Sequence, residues 1–187
     1  MNQDITQPWL LAAYRLFAQD GPKGLKIEVL AREVGKSKSS FYHHFADMEV
    51  FTERLLGYHL ERARLIAQQE AACRNVVPDL MNVLLEVKQD LLFNRQLRVH
   101  RHVPAFRECF EAASEKVGGA IAQIWAEMLG LADDSALAQV VLKLSFENFC
   151  LQITDETLTH SWLLRYVQEL SAMVRALQNR QPAAIVR

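Results

Sequence analysis

The 187-residue chain has few of the residues that interrupt regular structure, only seven glycines and five prolines, and this argues against a fold of many short strands joined by tight turns. Its three cysteines, Cys73, Cys109 and Cys150, are odd in number and far apart, in no metal-ligand spacing. They suit a reduced cytoplasm better than a disulfide framework or a closed zinc site. Long apolar runs are also missing. The best of them, residues 140–151, is broken by Lys143 and Glu147, and the polar start of the chain has no secretion-signal pattern, so a soluble, cytoplasmic protein is expected. There is no Gly-rich phosphate loop, nucleophile elbow or HExxH pair, and nothing points to an enzyme, a bound metal or a cofactor. No internal repeat or low-complexity segment is found.

Half of the residues are hydrophobic, enough for a well-buried core, and with so few breakers a mostly helical protein is expected. Lys and Arg number 21 against 22 Asp and Glu, a formal net charge of -1, so any surface for a polyanion must be local. One such concentration exists. Between residues 21 and 45 stand Lys23, Lys26, Arg32, Lys36 and Lys38 against Glu28 and Glu33, with His43 and His44 able to add charge beside phosphates.

That region reads IEVLAREVGKSKSSFYHHF over residues 27–45. Ile27, Leu30, Ala31 and Val34 recur at helical spacing and form one apolar stripe. Gly35 stands where a chain leaving a helix takes a left-handed residue, and Ser37 can cap the next helix through its hydroxyl. In that second helix Phe41 and Phe45 fall four residues apart and can pack on the first stripe, while Lys38, Ser39, Tyr42 and His44 point elsewhere. The pattern is a helix-turn-helix, whose second helix enters the major groove.

The run G-x-S-K-S-S-F-Y-H-H-F, downstream of a leading amphipathic helix, resembles the DNA-binding end of TetR-family transcriptional regulators, over roughly residues 8–56. The resemblance implies an all-α fold, with a three-helix DNA-binding domain over residues 1–46 and a helical effector-binding and dimerisation domain over residues 47–187. It also implies a homodimer that reads a palindromic double-stranded operator, more often as a repressor than an activator. Lys38, Ser39, Ser40, Tyr42 and His44 match the family's DNA-contacting slots. Lys36, Ser37 and His43 complete the candidate DNA-binding set, although the ring of His43 could equally face the core. Two departures stand out. Met48 occupies a slot where many relatives carry a phosphate-contacting Lys, and Lys36 fills a turn slot that is more often small and apolar. Glu28, near the groove, would repel phosphate or accept from cytosine.

The rest of the chain reads as helices. One starts at Pro8 and ends at Asp20-Gly21-Pro22; another, capped by Asp47, runs to about Glu70. A break over residues 75–78 precedes a helix from Leu80 to about Phe93, followed by a less regular stretch over residues 94–104. A further helix stops at Gly130, with Gly118-Gly119 a candidate bend or close-packing site. Helices then follow Asp133 and the separator at residues 154–159, and a frayed tail is expected beyond Asn179.

On the penultimate helix Leu142, Phe146, Phe149 and Ile153 form one stripe and Leu137, Val141, Leu144 and Leu151 another. Leu163, Val167, Leu170, Val174 and Leu177 form a packing seam on the last helix. Leu142, Phe149 and this seam are the candidate dimer interface, although the same faces could pack within one subunit. Candidate pocket residues for a small, mainly apolar effector are Phe93, Phe106, Phe110, Trp125, Met128, Phe146 and Asn148. Arg98, His100, Arg101 and His102 form a polar cluster that a solvated loop explains at least as well as a ligand anion does. Glu86, Lys143 and Glu147 read first as surface ion pairs. The alternative function is a helical dimeric ligand-binding or scaffold protein without specific DNA affinity, which weak or salt-insensitive DNA binding would favour.

Overall fold

The computed structural model describes residues 5–179, and among these the elements are helices and the turns between them. The α-helices are α1 (Gln7–Asp20), α2 (Ile27–Glu33), α3 (Lys38–His44), α4 (Met48–Ala71), α5 (Met81–Glu86), α6 (Lys88–Val99), α7 (Pro104–Leu129), α8 (Ser135–Gln152) and α9 (His160–Gln178). Their boundaries have local causes. Pro8 lies in the first turn of α1, where a missing N–H costs nothing, and Asp47 caps α4 by accepting from the Val50 N–H at 2.9 Å. Asp134 and Thr159 cap α8 and α9 in the same way.

Three expectations change. The irregular stretch expected over residues 94–104 shrinks to the turn at 100–103, because α6 continues to Val99: Asn94 and Gln96 are buried, bonded members of that helix. The helix expected from Leu80 to Phe93 divides at Val87, whose ψ of 24° departs from helical geometry. Gly118-Gly119 does not interrupt α7, which is one helix of 26 residues, and the two glycines line a cleft, with Leu142 Cδ2 4.0 Å from where a Gly118 Cβ would stand. The tail expected to fray beyond Asn179 lies outside the described residues.

Two apolar clusters hold the helices together. The larger joins α1, α3, α4 and α6 through fully buried rings: Trp9 meets Phe41 edge-on at 5.5 Å, Phe41 meets Phe51 at 5.2 Å, and Phe17 packs on Phe93 at 4.4 Å. The smaller, around Leu80, Ile121, Trp125, Leu129 and Val174, joins α7, α8 and α9. Rings and branched chains of this size dominate burial energetics, so α1 is bound into the body as firmly as into the N-terminal trio. Gly21 permits that approach: its φ is +64°, and a Cβ there would lie 2.7 Å from Gln96 Oε1. The Gln96 amide donates to the Gln19 carbonyl at 3.1 Å, tying α6 to the end of α1.

A buried polar cluster crosses the same junction. The Tyr14 hydroxyl donates to Asp90 Oδ1 at 2.7 Å and lies 2.6 Å from His59 Nδ1, and Arg62 grips both Asp90 oxygens at 2.9 and 2.8 Å. Tyr14 has one proton, given to Asp90, so the neutral His59 ring must carry its proton on Nδ1 and donate to Tyr14. Asn94 Oδ1 stands 3.0 Å from Nε2, whose lone pair then needs a donor, and the Asn94 amide supplies one once it is turned to present its NH₂. Burial holds the His59 imidazole down to about 4, in agreement with a neutral ring. Because that value is depressed from 6.5, its stabilisation is complete above the ordinary value and fades as pH falls through 6.5 towards 4.

Asp90→Ala leaves the Tyr14 hydroxyl and the Arg62 guanidinium without their shared acceptor, and a loss of about 3 kcal/mol is expected from breaking a largely buried pair. Urea denaturation gives the figure; a loss within experimental error of zero would show that the cluster does not hold α1 to α4 and α6.

Candidate functional site

The turn between α2 and α3 is built by two devices. The Lys36 N–H reaches back to the Ala31 carbonyl at 2.9 Å and the Gly35 N–H to the Arg32 carbonyl at 3.2 Å, the two bonds of a Schellman ending, with Gly35 at φ +64°. Two residues later the Ser37 hydroxyl accepts from the Ser40 N–H and caps α3. The chain therefore leaves one helix and enters the next within four residues. Phe41 and Phe45 anchor α3 in the aromatic core, and the opposite face is left free.

That face brings the predicted polar residues together. Lys36, Ser37, Lys38, Ser39, Tyr42 and His43 are exposed, Ser40 and His44 half-buried, and the rings of His43 and His44 meet at 5.3 Å. Tyr42 is 56% exposed, its ring standing edge-on to Phe41. Lys38 pairs with Glu28 of α2 at 2.5 Å, both side chains more than half exposed. The Lys38 hydrogen bond, with its charge, holds the Glu28 carboxyl below its usual range. Glu28 thus meets a cation on its own chain, and Lys38 does not stand unpaired in the absence of a polyanion. The hydroxyls, the phenol and the cationic groups together form a donor surface about two helical turns long, suited to phosphates and base edges.

The second region lies in the body. An open cleft of about 610 Å³ runs between α7 and α8, floored by Phe110, Val117, Ile121, Leu142 and Phe146 and rimmed by Arg98, Arg101, Arg107, Lys143, Glu111 and Glu147. Behind it a chamber of about 50 Å³ shares Val117, Ile121, Leu142 and Phe146 as walls and is completed by Glu70, Trp125, Phe149 and Tyr166 among others. Of the predicted pocket residues, Phe110, Trp125 and Phe146 line these spaces. Phe93 and Phe106 do not: Phe93 is fully buried, stacked on Tyr14 and His59 at 4.4 Å, and Phe106 packs edge-on to Phe17. Met128 is half-buried against the smaller apolar cluster, and exposed Asn148 bonds Gln152, so neither lines a cavity.

The seam residues also need correction. Leu142, Phe149, Leu163, Val167 and Val174 are buried within one chain and present no free face to a partner, while Leu170 is half-buried against the smaller cluster. Leu177 is exposed. The outward apolar stripe is close to the other one: Leu137, Leu144 and Leu151 of α8 are exposed as that stripe requires, but Val141 packs against the smaller cluster and Val140 takes its place, while Met173 and Leu177 of α9 are exposed as well, at 43 to 64%. Arg98 bonds Glu147 at 2.9 Å, and His100 donates from Nδ1 to the Gln96 carbonyl, so the cluster near Pro104 is tied into α6 and α8. Among the described residues no group of three His, Cys, Asp or Glu side chains is placed to hold a metal ion, and no helix is long and apolar enough to cross a membrane.

Glu70 is the residue that sequence reasoning missed. It is 1% exposed, neither carboxylate oxygen has a protein partner, and burial pushes its carboxyl up to about 8. A signal exists in hindsight: Ala63, Ile66 and Glu70 follow His59 at spacings of four, three and four, which puts an acid on the buried stripe of α4.

Residues 10–55 match the family model described as bacterial regulatory proteins, tetR family. No curated protein matches the chain in sequence. Among solved structures, Salmonella enterica GusR shares the fold with a TM-score of 0.62 at 17% identity, over 94% of this chain and 97% of that one. A putative TetR-family transcriptional regulator from Rhodococcus sp. does so at 0.53 and 20% identity, over 90% and 95%.

The position of Glu70 predicts a pH signature. Its folded-state value is raised above the ordinary 4.5, so its stabilisation is complete below that value and is lost as pH rises towards 8. Glu70→Gln, which cannot ionise, is expected to match the parent in thermal midpoint near pH 4 and exceed it above pH 8. Parallel midpoint curves across that interval would place the carboxyl in water.

Proposed function

We propose that this chain, a TetR-family DNA-binding transcriptional regulator, acts as a homodimeric repressor that leaves a palindromic operator when a small, mainly apolar effector occupies the cavities between α7 and α8. It is a transcription factor, not an enzyme. The observation that carries the DNA-binding part is the pairing of a capped two-helix turn with a recognition helix whose inward rings are core and whose outward groups are donors. Lys36, Ser37, Lys38, Ser39, Ser40, Tyr42, His43 and His44 are the proposed contact set, with α1 to α3 as the reading head (residues 1–46) and residues 47–187 as the effector and dimer body. Such a regulator works in the cytoplasm, where the DNA is.

The dimer part rests on the outward stripe of α8, Leu137, Val140, Leu144 and Leu151, with Met173 and Leu177 of α9 also exposed, and exposed apolar surface of this kind marks interaction sites. A dimer built through it with both helix-turn-helix heads on one side would read half-sites one turn of DNA apart. The effector part rests on α4. Its 24 residues span about 36 Å, from the Asp47 cap beside α3 to Glu70 at the inner chamber. A rigid rod of this length turns a small shift at the chamber into a displacement of the head. An effector that fits only one position of the rod shifts the population between DNA-competent and incompetent dimers.

Fluorescence anisotropy against DNA from upstream of the chain's own gene, beside a scrambled duplex at two salt concentrations, tests the reading. Preference for the first duplex that weakens with salt is expected, while equal, salt-insensitive binding of both favours the scaffold alternative. Lys38→Ala should lower the slope of log affinity against log salt by about one if the side chain neutralises one phosphate; an unchanged slope removes it from the backbone contacts. Leu144→Glu puts a charge at the middle of the outward stripe and should give a folded monomer by analytical ultracentrifugation, with operator affinity lost. A Leu144→Glu dimer would move the interface elsewhere.

A further inference from the structure

Glu70 closes the last turn of α4 and lines the inner chamber with both carboxylate oxygens unpartnered, at 1% exposure. A buried carboxylate without a partner is strongly disfavoured, and one held just behind the apolar wall of a cavity can turn to accept from a group that enters. The other walls decide the sign of the visitor. Trp125, Phe146, Phe149 and Tyr166 present rings to the same chamber, and no Lys, Arg or His lines it. Aromatic faces carry a negative quadrupole that attracts cations, and they act together with a carboxylate towards the same charge. The Trp125 indole N–H is likewise buried without a partner and offers a single donor to an oxygen next to that charge.

We propose that the inner chamber is the subsite for the protonated amine of an amphipathic organic cation, with Glu70 as its counter-ion and the four rings as its cage. The proposal rests on the reading of these cavities as the effector site and names the effector's chemical class. Size supports the division of labour. A water molecule occupies about 30 Å³ of liquid, so a chamber of about 50 Å³ accepts an ammonium head and an adjoining carbon or two but not a whole effector. The body of the ligand then lies in the outer cleft of about 610 Å³, on the far side of the shared walls Leu142 and Phe146. Phe146, half-buried and stacked between Phe110 and Phe149 at 6.3 and 6.4 Å, lines both spaces and stands between them. The head group would grip α4 at the end opposite its cap, where the rod described above is best moved.

The test is isothermal titration of the full chain, without DNA, against decylamine, decanol and decanoate. Decylamine should bind at least tenfold more tightly than decanol, and Glu70→Gln should reduce that preference about ten- to a hundredfold, the worth of a hydrogen bond to a charged group. Glu70→Leu, which fills the space without a charge, is the second variant, and each is checked for folding by circular dichroism. Equal affinity for amine and alcohol, a preference for decanoate, a preference that survives both substitutions, or no binding by any probe would overturn the subsite. A parallel release assay on the operator complex separates this from the wider reading. Release by decanol as readily as by decylamine sinks the cation subsite but keeps the effector cavity, whereas Glu70-dependent amine binding that leaves DNA bound keeps the subsite and sinks its role as effector site.

Discussion

The constraint on which the architecture rests is the single proton of Tyr14. Given to Asp90, it obliges His59 to donate from Nδ1, it brings Asn94 to the other ring nitrogen, and it leaves Arg62 to complete the acceptor from the solvent side. Three helices, α1, α4 and α6, thereby fix one another in azimuth, a restriction that rings and branched chains alone supply poorly because apolar contacts are non-directional. The aromatic stack beneath gives the junction its strength, and the polar cluster gives it a single arrangement. The consequence for function is that α1 does not hang from the body on a linker: the N-terminal trio and the body share one core, and the head moves when α4 and α6 move.

Two buried ionisable groups bound the pH range from opposite sides. His59 is neutral because burial depresses it, and it withdraws support on acidification; Glu70 is neutral because burial raises it, and it withdraws support on alkalinisation. They differ in what surrounds them. His59 has a partner on each nitrogen, whereas Glu70 has none, and this difference separates a structural histidine from a carboxylate left unpaired beside a cavity.

How much of this was legible in the chain depended on the physics behind each signal. The α2-α3 turn was readable to the residue because Gly35 and Ser37 act locally, through backbone sign and a hydroxyl two bonds away. The limits of α1 and α4 followed from Pro8 and Asp47 for the same reason. Buried polar residues were not readable, since His59, Glu70 and Asp90 look like surface side chains until a second helix covers them. The two stripes of α8 show a third case. Leu142 and Leu144 stand about 200° apart on the helix, both apolar, and nothing local tells which faces its own chain. The packing of α7 and α9 decides, and it leaves Leu144 outside. Phe93 and Phe106 were drawn into the core by Tyr14 and Phe17, partners distant in sequence.

The seven residues of α3 divide their duties without overlap. Phe41, with Phe45 just beyond and the Ser37 cap just before, holds the helix to the core, while Ser39, Tyr42 and His43 touch little of the fold that would fail without them. Substitutions at these three positions can alter what the helix recognises at little expense to stability, and the scaffold positions can drift in size without altering the text that is read. Such a separation lets a lineage acquire new target sequences by a few surface changes, each passing through a folded protein.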